Sequence, residues 1–414
     1  MSPAVSLTAT SFGKLVDDTG REVAVQKFTW QTVAGLRLSV LNLDAAIIEL
    51  SVPDRSWESI ANVLLGVNNL DQYLQLDPAL VSCAQFEHGW PILTGNGPRE
   101  DETNRSNQKA DFHRIWHPFV DETRLHLSLV RKSPTQNRNT LATVTISVEP
   151  SNVVRIRYRT CCTVGGLFRL AHRFLFNLGG CESGAQGTFE HVVQLNADSY
   201  VDEGRNIRSA MENVTDLRIA QHLGLALYRA GNEGIDGAAR LRGIYQLNSA
   251  SEEGYALRLI HTGSGRALEM YCDFPWLHFS TLDELPPGKC TIVPFYPREG
   301  LKRVSLIFDL DQFVLSVVDG IEPEVPETDD QDKPSGQDES APEPTARSDT
   351  FLKNDGILIH PLACPFVMKG RRKQEDSPHA RCPLQFIGHV TLKFGICKAL
   401  SPEDTTGPKL TGSK

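Results

Sequence analysis

The chain has 414 residues, of which 40% are apolar and 22% charged, as in an ordinary globular protein. Its formal net charge of −9 argues against a surface built mainly for nucleic acid. No run approaches about 18 consecutive apolar residues, so no membrane-spanning helix is expected. Composition also excludes collagen, a coiled coil and wholesale disorder.

The cysteines indicate the compartment. Nine are scattered along the chain, without a Cys-x-x-Cys pair. The number is odd, and Cys161 and Cys162 would point to opposite faces of a strand. This usage is typical of free thiols in a reducing compartment. The N-terminus lacks a basic segment followed by an apolar core, so we expect no signal peptide and predict a cytoplasmic protein.

Alternation of apolar and polar residues with a period of two recurs from the first third of the chain to its end. It predicts strands at residues 125–129, 154–158, 192–197, 255–259, 267–272, 304–318 and 390–396. A helical pattern is rare, and the best candidate is residues 216–228. Many short strands separated by turn signals indicate an all-β fold, a large antiparallel β-sandwich.

One acidic, proline-rich segment interrupts this pattern. Residues 320–349 contain ten Asp or Glu and five prolines against one Lys and one Arg, so most of the net charge of the chain lies here. Such a segment buries too little apolar surface to offset its ordering entropy. It is either a solvated loop or a docking segment for a protein partner.

The domain prediction follows from the strands on both sides of this insert. We expect a single domain made of residues 21–319 and 351–400, with a disordered insert at 320–350. Flexible segments are predicted at 1–20 and 401–414. The strand at the end of the chain would then return to the same core.

Short motifs spread along the chain indicate one protein family. They are Val-Pro-Asp-Arg at 52–55, Asn-Val-Leu-Leu-Gly-Val at 62–67, Leu-Asp-Gln-Tyr at 70–73, Trp-His-Pro at 116–118, Phe-Asn-Leu-Gly-Gly at 176–180, Asp-Ser-Tyr at 198–200, Asp-Leu-Arg at 216–218, Gly-Ile-Asp at 234–236, Ser-Gly-Arg-Ala-Leu-Glu at 264–269 and Thr-Leu-Lys-Phe at 391–394. In this order they resemble the aldose 1-epimerase (galactose mutarotase) family. The resemblance implies a galactose mutarotase-like supersandwich with a hexose-binding cleft on one sheet face. We predict no cofactor and no metal.

The family's chemistry is mutarotation, which needs a base for the anomeric hydroxyl and an acid for the ring oxygen. The family supplies a glutamate in the motif "cLEtq.wPda" and histidines in "lHGG" and "NHtYFNL". No His-Gly-Gly precedes Trp116 in this chain, although His113 lies nearby. When Tyr296-Pro297 is aligned with the Trp-Pro of the first motif, Ile292 takes the position of the glutamate, and isoleucine cannot accept a proton.

The remaining site residues come from the same resemblance. Arg173 takes the position of the second histidine, and His172 takes that of the asparagine before it. A register slip would make His172 catalytic; without one it is a structural or surface histidine. His278 replaces a substrate-binding glutamine, and Asp236 matches the family aspartate. We therefore expect Asp236, His278 and Arg173 to converge on one substrate-binding surface, with the catalytic candidate His172 nearby but turned away.

Two functions stay open at this point. The first is a mutarotase-like carbohydrate-binding protein of hexose metabolism, catalytically impaired because the base and the first histidine motif are missing. The second is an active aldose 1-epimerase that interconverts the α and β anomers of galactose or glucose. In the second case His172, His113 and a displaced glutamate, Glu284 or Glu299, would fill the catalytic roles.

Overall fold

The chain forms antiparallel β-sheets, as the alternating pattern predicts. The computed structural model describes residues 3–16, 20–76, 80–86, 113–133, 138–163, 170–201, 206–212, 216–233, 241–282, 307–309, 314–316, 354–363 and 385–397. Every pairing between strands within these ranges is antiparallel. The all-β prediction is therefore confirmed.

A five-stranded sheet opens the chain. Its strands follow one another in sequence order, as β1 (Val5–Val16), β2 (Glu22–Thr32), β3 (Arg37–Leu41), β4 (Ile47–Pro53) and β5 (Ile60–Asn62). The structure differs here from the flexibility predicted for residues 1–20. β1 pairs with β2 from Val5 to Val16, and its apolar side chains pack against buried clusters, which together hold the segment in place.

A second sheet has nine strands. They are β7 (His117–Asp121), β8 (Arg124–Ser133), β9 (Arg138–Glu149), β10 (Val153–Cys162), β13 (His191–Leu195), β16 (Gln221–His222), β18 (Tyr255–His261), β19 (Arg266–Cys272) and β24 (Gln385–Ile396). The spatial order is β16-β13-β18-β19-β24-β10-β9-β8-β7. The last strand of the chain thus lies in the middle of this sheet, between β10 and β19.

A third sheet has six strands and positions the candidate site. They are β12 (Phe174–Phe176), β14 (Ser199–Val201), β15 (Ile207–Ser209), β17 (Arg242–Gln246), β20 (Trp276–Ser280) and β23 (Ile357–Leu362). The order is β12-β23-β20-β17-β14-β15. A two-stranded sheet joins β6 (Ala84–Phe86) to β11 (Leu170–His172).

The α-helices of the described residues are short. They are α1 (Leu70–Gln75), α2 (Gly184–Phe189) and α3 (Leu223–Glu233). The helix predicted at 216–228 begins later, because Arg218 donates two side-chain hydrogen bonds to the Asp216 carboxylate in a turn before it. Among the described residues, no helix is long and apolar enough to cross a membrane.

The three large sheets share one buried apolar cluster. Trp30 of β2, Ile156 of β10 and Phe279 of β20 all belong to it. Because side chains alternate across a strand, the six-stranded sheet sends Leu277 and Phe279 into this core and leaves their neighbours on the opposite face. That opposite face carries the candidate site.

By its contacts the chain divides into two compact units, residues 1–295 with 351–398, and residues 296–350 with 399–414. The sheets above lie in the first unit. In the second, the described residues form a hairpin of β21 (Ile307–Asp309) and β22 (Val314–Ser316) within the strand predicted at 304–318. The acidic insert at 320–350 and the tail at 401–414 lie outside the described residues, so the predicted domain boundaries remain predictions.

Candidate functional site

Two buried histidines face each other on the six-stranded sheet. His278 of β20 and His360 of β23 are direct cross-strand partners, so their side chains lie on one face. They are only 3% and 5% exposed. We call this side of the sheet the histidine face and define it by five residues, Arg242, Trp276, His278, Ser280 and His360.

The ring nitrogens of both histidines lack partners among the described residues. None of the four has a hydrogen-bond partner within that part of the chain. Buried polar groups are nearly always paired, and an unpaired one costs about 1–3 kcal/mol. Two adjacent buried imidazoles without partners among the described residues make this face the candidate functional site.

Both imidazoles are neutral at pH 7. Burial, followed by the charges of Arg173 and Arg242, lowers the pKa of His278 to about 3. Burial, followed by Arg173 and His278, lowers the pKa of His360 well below its ordinary value. Each neutral ring offers one N–H donor and one acceptor nitrogen.

Arg173 lies close to the same pair. It directly precedes β12, whose first residue, Phe174, points into the core, so alternation places Arg173 on the other side. Its charge acts on both His278 and His360. The structure therefore brings together two of the residues chosen from the sequence, Arg173 and His278, and adds His360.

His172 lies on the core side and is fully buried. Its Nε2 is 2.8 Å from the carbonyl oxygen of Ala45, which can only accept, so Nε2 carries the proton. Nδ1 then accepts from the Tyr158 hydroxyl at 3.0 Å, and that oxygen in turn accepts from the His172 backbone N–H. Burial lowers the pKa of His172 to about 4. Both ring nitrogens are thus occupied by the fold.

The other candidates fall elsewhere. Asp236, Ile292, Glu284 and Glu299 lie outside the described residues. His113 is exposed, and its backbone N–H donates to the buried carboxylate of Asp44 at 3.0 Å. The contacts described for His113 are with Asp44 and Tyr73, and neither belongs to the histidine face.

Sequence reasoning missed His360, although a signal for it exists. Residues 356–365 read Gly-Ile-Leu-Ile-His-Pro-Leu-Ala-Cys-Pro, and His360 precedes Pro365 by the spacing that separates glutamate from proline in "cLEtq.wPda". β23 is also the strand that pairs with β20 beside His278. Testing that motif against every proline, rather than Tyr296-Pro297 alone, would have found it.

Known proteins resemble this chain in sequence and in fold. Galactose mutarotase from Sus scrofa is 28% identical over 315 residues, which cover 71% of this chain and 87% of the relative. Galactose mutarotase from Bos taurus is 28% identical over 306 residues, which cover 69% and 85%. No protein-family model matches the chain.

Two solved structures share the fold. The aldose epimerase homologue from C. elegans has a TM-score of 0.55 and 15% identity, covering 88% of this chain and 97% of that one. The galactose 1-epimerase from Lactobacillus acidophilus NCFM has a TM-score of 0.56 and 14% identity, covering 95% and 100%. Both likenesses extend over nearly the whole of the chain and agree with the antiparallel sheets described above.

Proposed function

We propose that this chain, which belongs to the aldose 1-epimerase (galactose mutarotase) family, binds a hexose sugar on the histidine face and has lost most of its catalytic power. The observation that carries the proposal is the pair of buried, unpaired imidazoles of His278 and His360. The proposed loss of catalysis rests on two other observations, the orientation of His172 and the presence of His360 in place of a carboxylate base.

Sugar binding fits the chemistry of this face. A sugar hydroxyl both donates and accepts hydrogen bonds, and a neutral imidazole offers one site of each kind. Trp276 lies two residues from His278 on the same face and adds an apolar ring surface. A hexose would pair the orphaned nitrogens while its carbon face packs on the indole.

Impaired catalysis follows from His172 and His360. The proton of His172 Nε2 is directed at the Ala45 carbonyl oxygen, inside the core, so it is turned away from any sugar on the histidine face. His360 stands in place of a carboxylate base, and its lowered pKa makes it a weak base at neutral pH. Each general acid or base contributes about 10²–10⁴-fold in rate, so loss of both abolishes most of the activity.

One observation favours a second candidate, an active aldose 1-epimerase. A neutral imidazole accepts a proton, whereas the isoleucine first aligned with the glutamate cannot. With His360 as base and the Arg173 guanidinium near the ring oxygen, acid–base chemistry would survive in altered form. This candidate needs the anomeric hydroxyl to lie within hydrogen-bond distance of His360.

Polarimetry of freshly dissolved α-galactose and α-glucose with the purified chain separates the two. Under the binding proposal, rotation relaxes at the buffer rate, while calorimetry with the same sugars shows saturable binding that His278→Leu weakens. Relaxation clearly above the buffer rate, lost in His360→Gln, would establish the enzyme instead. Exposed His117→Gln is the matched control, since it leaves the histidine face intact.

We further propose a cytoplasmic, reducing location. All six described cysteines carry free thiols, namely Cys83, Cys161, Cys162, Cys181, Cys272 and Cys397. Cys83 and Cys272 are buried, and burial raises the pKa of each thiol to about 12, which keeps both protonated and unreactive. Thiol labelling of the freshly isolated chain should recover every cysteine in the reduced form.

The acidic insert is the proposed contact for a protein partner. Its charge and proline content suit a segment that binds a basic surface. Capture of a partner by the full chain, lost on deletion of residues 320–350 and at raised ionic strength, would support this role. Unchanged capture after the deletion would contradict it.

A further inference from the structure

We infer that the open edge of β1 is the docking surface for a second copy of this chain. The two β1 strands would pair antiparallel about a two-fold axis, so that each five-stranded sheet continues into the other. This edge is separate from the histidine face, because β1 belongs to the five-stranded sheet and the histidine pair to the six-stranded sheet.

β1 is the longest strand edge that the described residues leave open. It has 12 residues and lies at the end of its sheet, where β2 is its neighbour among the described strands. Strands at the other edges of the described sheets have five residues or fewer. Proteins normally shorten, charge or interrupt their sheet edges, because an open edge pairs with other chains. The length of β1 therefore indicates a pairing surface.

The first half of β1 also lacks the usual protection of an edge strand. Residues 4–13 contain no charged residue and no proline, whereas the edge strand β7 carries Pro118 and Asp121. The first interruption of β1 is the register shift between Ser11 and Gly13. Residues 5–11 thus form a regular and uncharged edge.

Backbone hydrogen bonds indicate which groups of β1 face outward. The C=O of Ala4 accepts from the Val33 N–H, which directs Ala4 toward β2. Bonding to one neighbour alternates along an antiparallel strand, so Ser6, Thr8 and Thr10 also bond to β2. The residues between them direct their N–H and C=O groups to the open side. They are Val5, Leu7, Ala9 and Ser11.

The side chains around this edge leave room for a partner strand. Residues 8–11 are exposed, and they alternate between both faces of the sheet. Val5 and Leu7 are half-buried against the main core, which holds the start of the strand in place. A second strand can therefore approach β1 in the plane of its sheet.

One register makes β1 complementary to itself. With the two-fold axis at Thr8, Leu7 lies opposite Ala9 of the partner subunit, and Val5 lies opposite Ser11 of the partner subunit. Each of these pairs exchanges both hydrogen bonds, so the outward N–H and C=O groups of residues 5–11 are all satisfied. Thr8 then lies opposite its own counterpart, and Thr–Thr pairs stabilise a sheet. Because the edge is uncharged, two copies do not repel each other, and a charged peptide finds no counter-charge there.

Sedimentation velocity of the full chain from about 1 to 100 µM tests this pairing. A single strand pair is a small interface, so we expect a weak dimer in exchange with monomer over this range. Thr8→Lys places two like charges directly opposite each other and should weaken dimerisation about fivefold or more. Ser251→Lys adds the same charge on an exposed bend and is the matched control.

A mixture of two variants tests the register. Thr8→Lys and Thr8→Glu should each dimerise weakly, whereas their equal mixture should recover the dimer, because opposite charges then face each other across the axis. The corresponding mixture of Ser251→Lys and Ser251→Glu should behave like the wild-type chain.

Thr8→Cys provides a second measurement, which also applies should Thr8→Lys fail to fold. A pair of residues without mutual hydrogen bonds holds its Cα atoms about 4.5 Å apart, within the range of a disulfide. Mild oxidation should therefore link two Thr8→Cys chains on a non-reducing gel, while the wild-type chain and Ser251→Cys stay unlinked.

Three results would overturn the inference. The first is a folded chain that stays monomeric at about 100 µM. The second is a dimer that Thr8→Lys leaves as stable as before, since such a dimer uses another surface. The third is a dimer that the mixture of charged variants does not restore and that Thr8→Cys does not link, since its register differs from the one described. Thermal unfolding of each variant shows that the chain tested is folded.

Discussion

The guanidinium of Arg266 donates from Nη1 to the carbonyl oxygen of Leu178 at 3.2 Å in the buried core. It also donates from Nε to Val52 at 3.1 Å and from Nη2 to Ser59 at 3.2 Å. One side chain thus joins three of the family-like motifs, at 52–55, 176–180 and 264–269. This contact gives the three motifs a structural role that does not depend on catalysis.

Arg266→Leu should strongly destabilise the chain. The substitution removes three hydrogen bonds donated by a buried guanidinium, although the carbonyl oxygens of Leu178 and Ser59 each keep another donor, Ser264 Oγ and the Asp54 N–H. Because a hydrogen bond to a charged group contributes about 1.5–3 kcal/mol, we expect urea unfolding to show a loss of about 2–4 kcal/mol. Arg157→Leu on exposed β10 is the control and should change stability by less than about 0.5 kcal/mol. Equal stability of the two variants would contradict the role given to Arg266.

Tyr158→Phe tests whether His172 is structural. The change removes the hydroxyl that bonds both Nδ1 and the backbone N–H of His172, so we expect a loss of about 2–3 kcal/mol. Sugar affinity should stay constant because His172 faces the core. Tyr228→Phe, on a 39% exposed ring, is the control. Retained stability with lost sugar binding would show that His172 belongs to the site.

Gly66 in the motif at 62–67 should not tolerate a side chain. A Cβ at this position would lie 1.9 Å from the carbonyl oxygen of Ile48 and 2.8 Å from its carbonyl carbon. Because the obstacle is backbone, Gly66→Ala should cost about 3 kcal/mol or more. Gly20→Ala meets no atom within 4 Å and should cost only about 1–2 kcal/mol, from its positive φ of 79°. Chemical denaturation of both variants gives the comparison.

The strands that the sequence predicts are those with regular alternation and one buried face. Residues 154–158 and 390–396 lie in β10 and β24, which pair with each other across the sheet. β1 was missed because its side chains are mostly polar or half-exposed and a register shift between Ser11 and Gly13 breaks the alternation. Its order comes from pairing with β2, which lies outside the reach of a local pattern.

The candidate site was only partly predictable for a similar reason. The motif aligned at Tyr296-Pro297 points to Ile292, and a sequence pattern does not show which strand lies beside β20. The pairing of β20 with β23 identifies His360 as the cross-strand partner of His278. Neighbouring residues on a strand face opposite sides, and the structure places Arg173 near His278 while His172 enters the core. Both the partner of His278 and the orientation of Arg173 and His172 depend on strand pairing between residues far apart in the sequence, which a local pattern does not show.

The buried histidines should make the chain sensitive to acid. Burial lowers the pKa of His172 to about 4 and the pKa of His191 and of His278 to about 3, and that of His360 lies well below its ordinary value. The unfolded chain takes up these protons near pH 6.5, whereas the folded chain excludes them. Their contribution to stability is therefore complete above pH 6.5 and falls as the pH drops toward 4.

Each such histidine should cost about 1.4 kcal/mol per pH unit below 6.5, or about 2 kcal/mol at pH 5. Four together approach the total stability of a typical domain, about 5–15 kcal/mol. Asp44 opposes them, because burial raises its pKa to about 6 and it gains stability, at most about 3 kcal/mol, as the pH falls from 6 to 3.8. The net loss remains, and we expect acid unfolding between about pH 4 and 5.5.

Urea unfolding followed from pH 8 to 4.5 measures this dependence. His278→Gln removes one of the excluded protons, so the slope of the unfolding free energy between pH 6 and 5 should fall by about 1.4 kcal/mol per pH unit. His117→Gln, on the exposed strand β7, should leave the slope as it is. A wild-type stability that is flat across this range, or a slope that His278→Gln leaves intact, would show that these imidazoles accept protons in the folded chain.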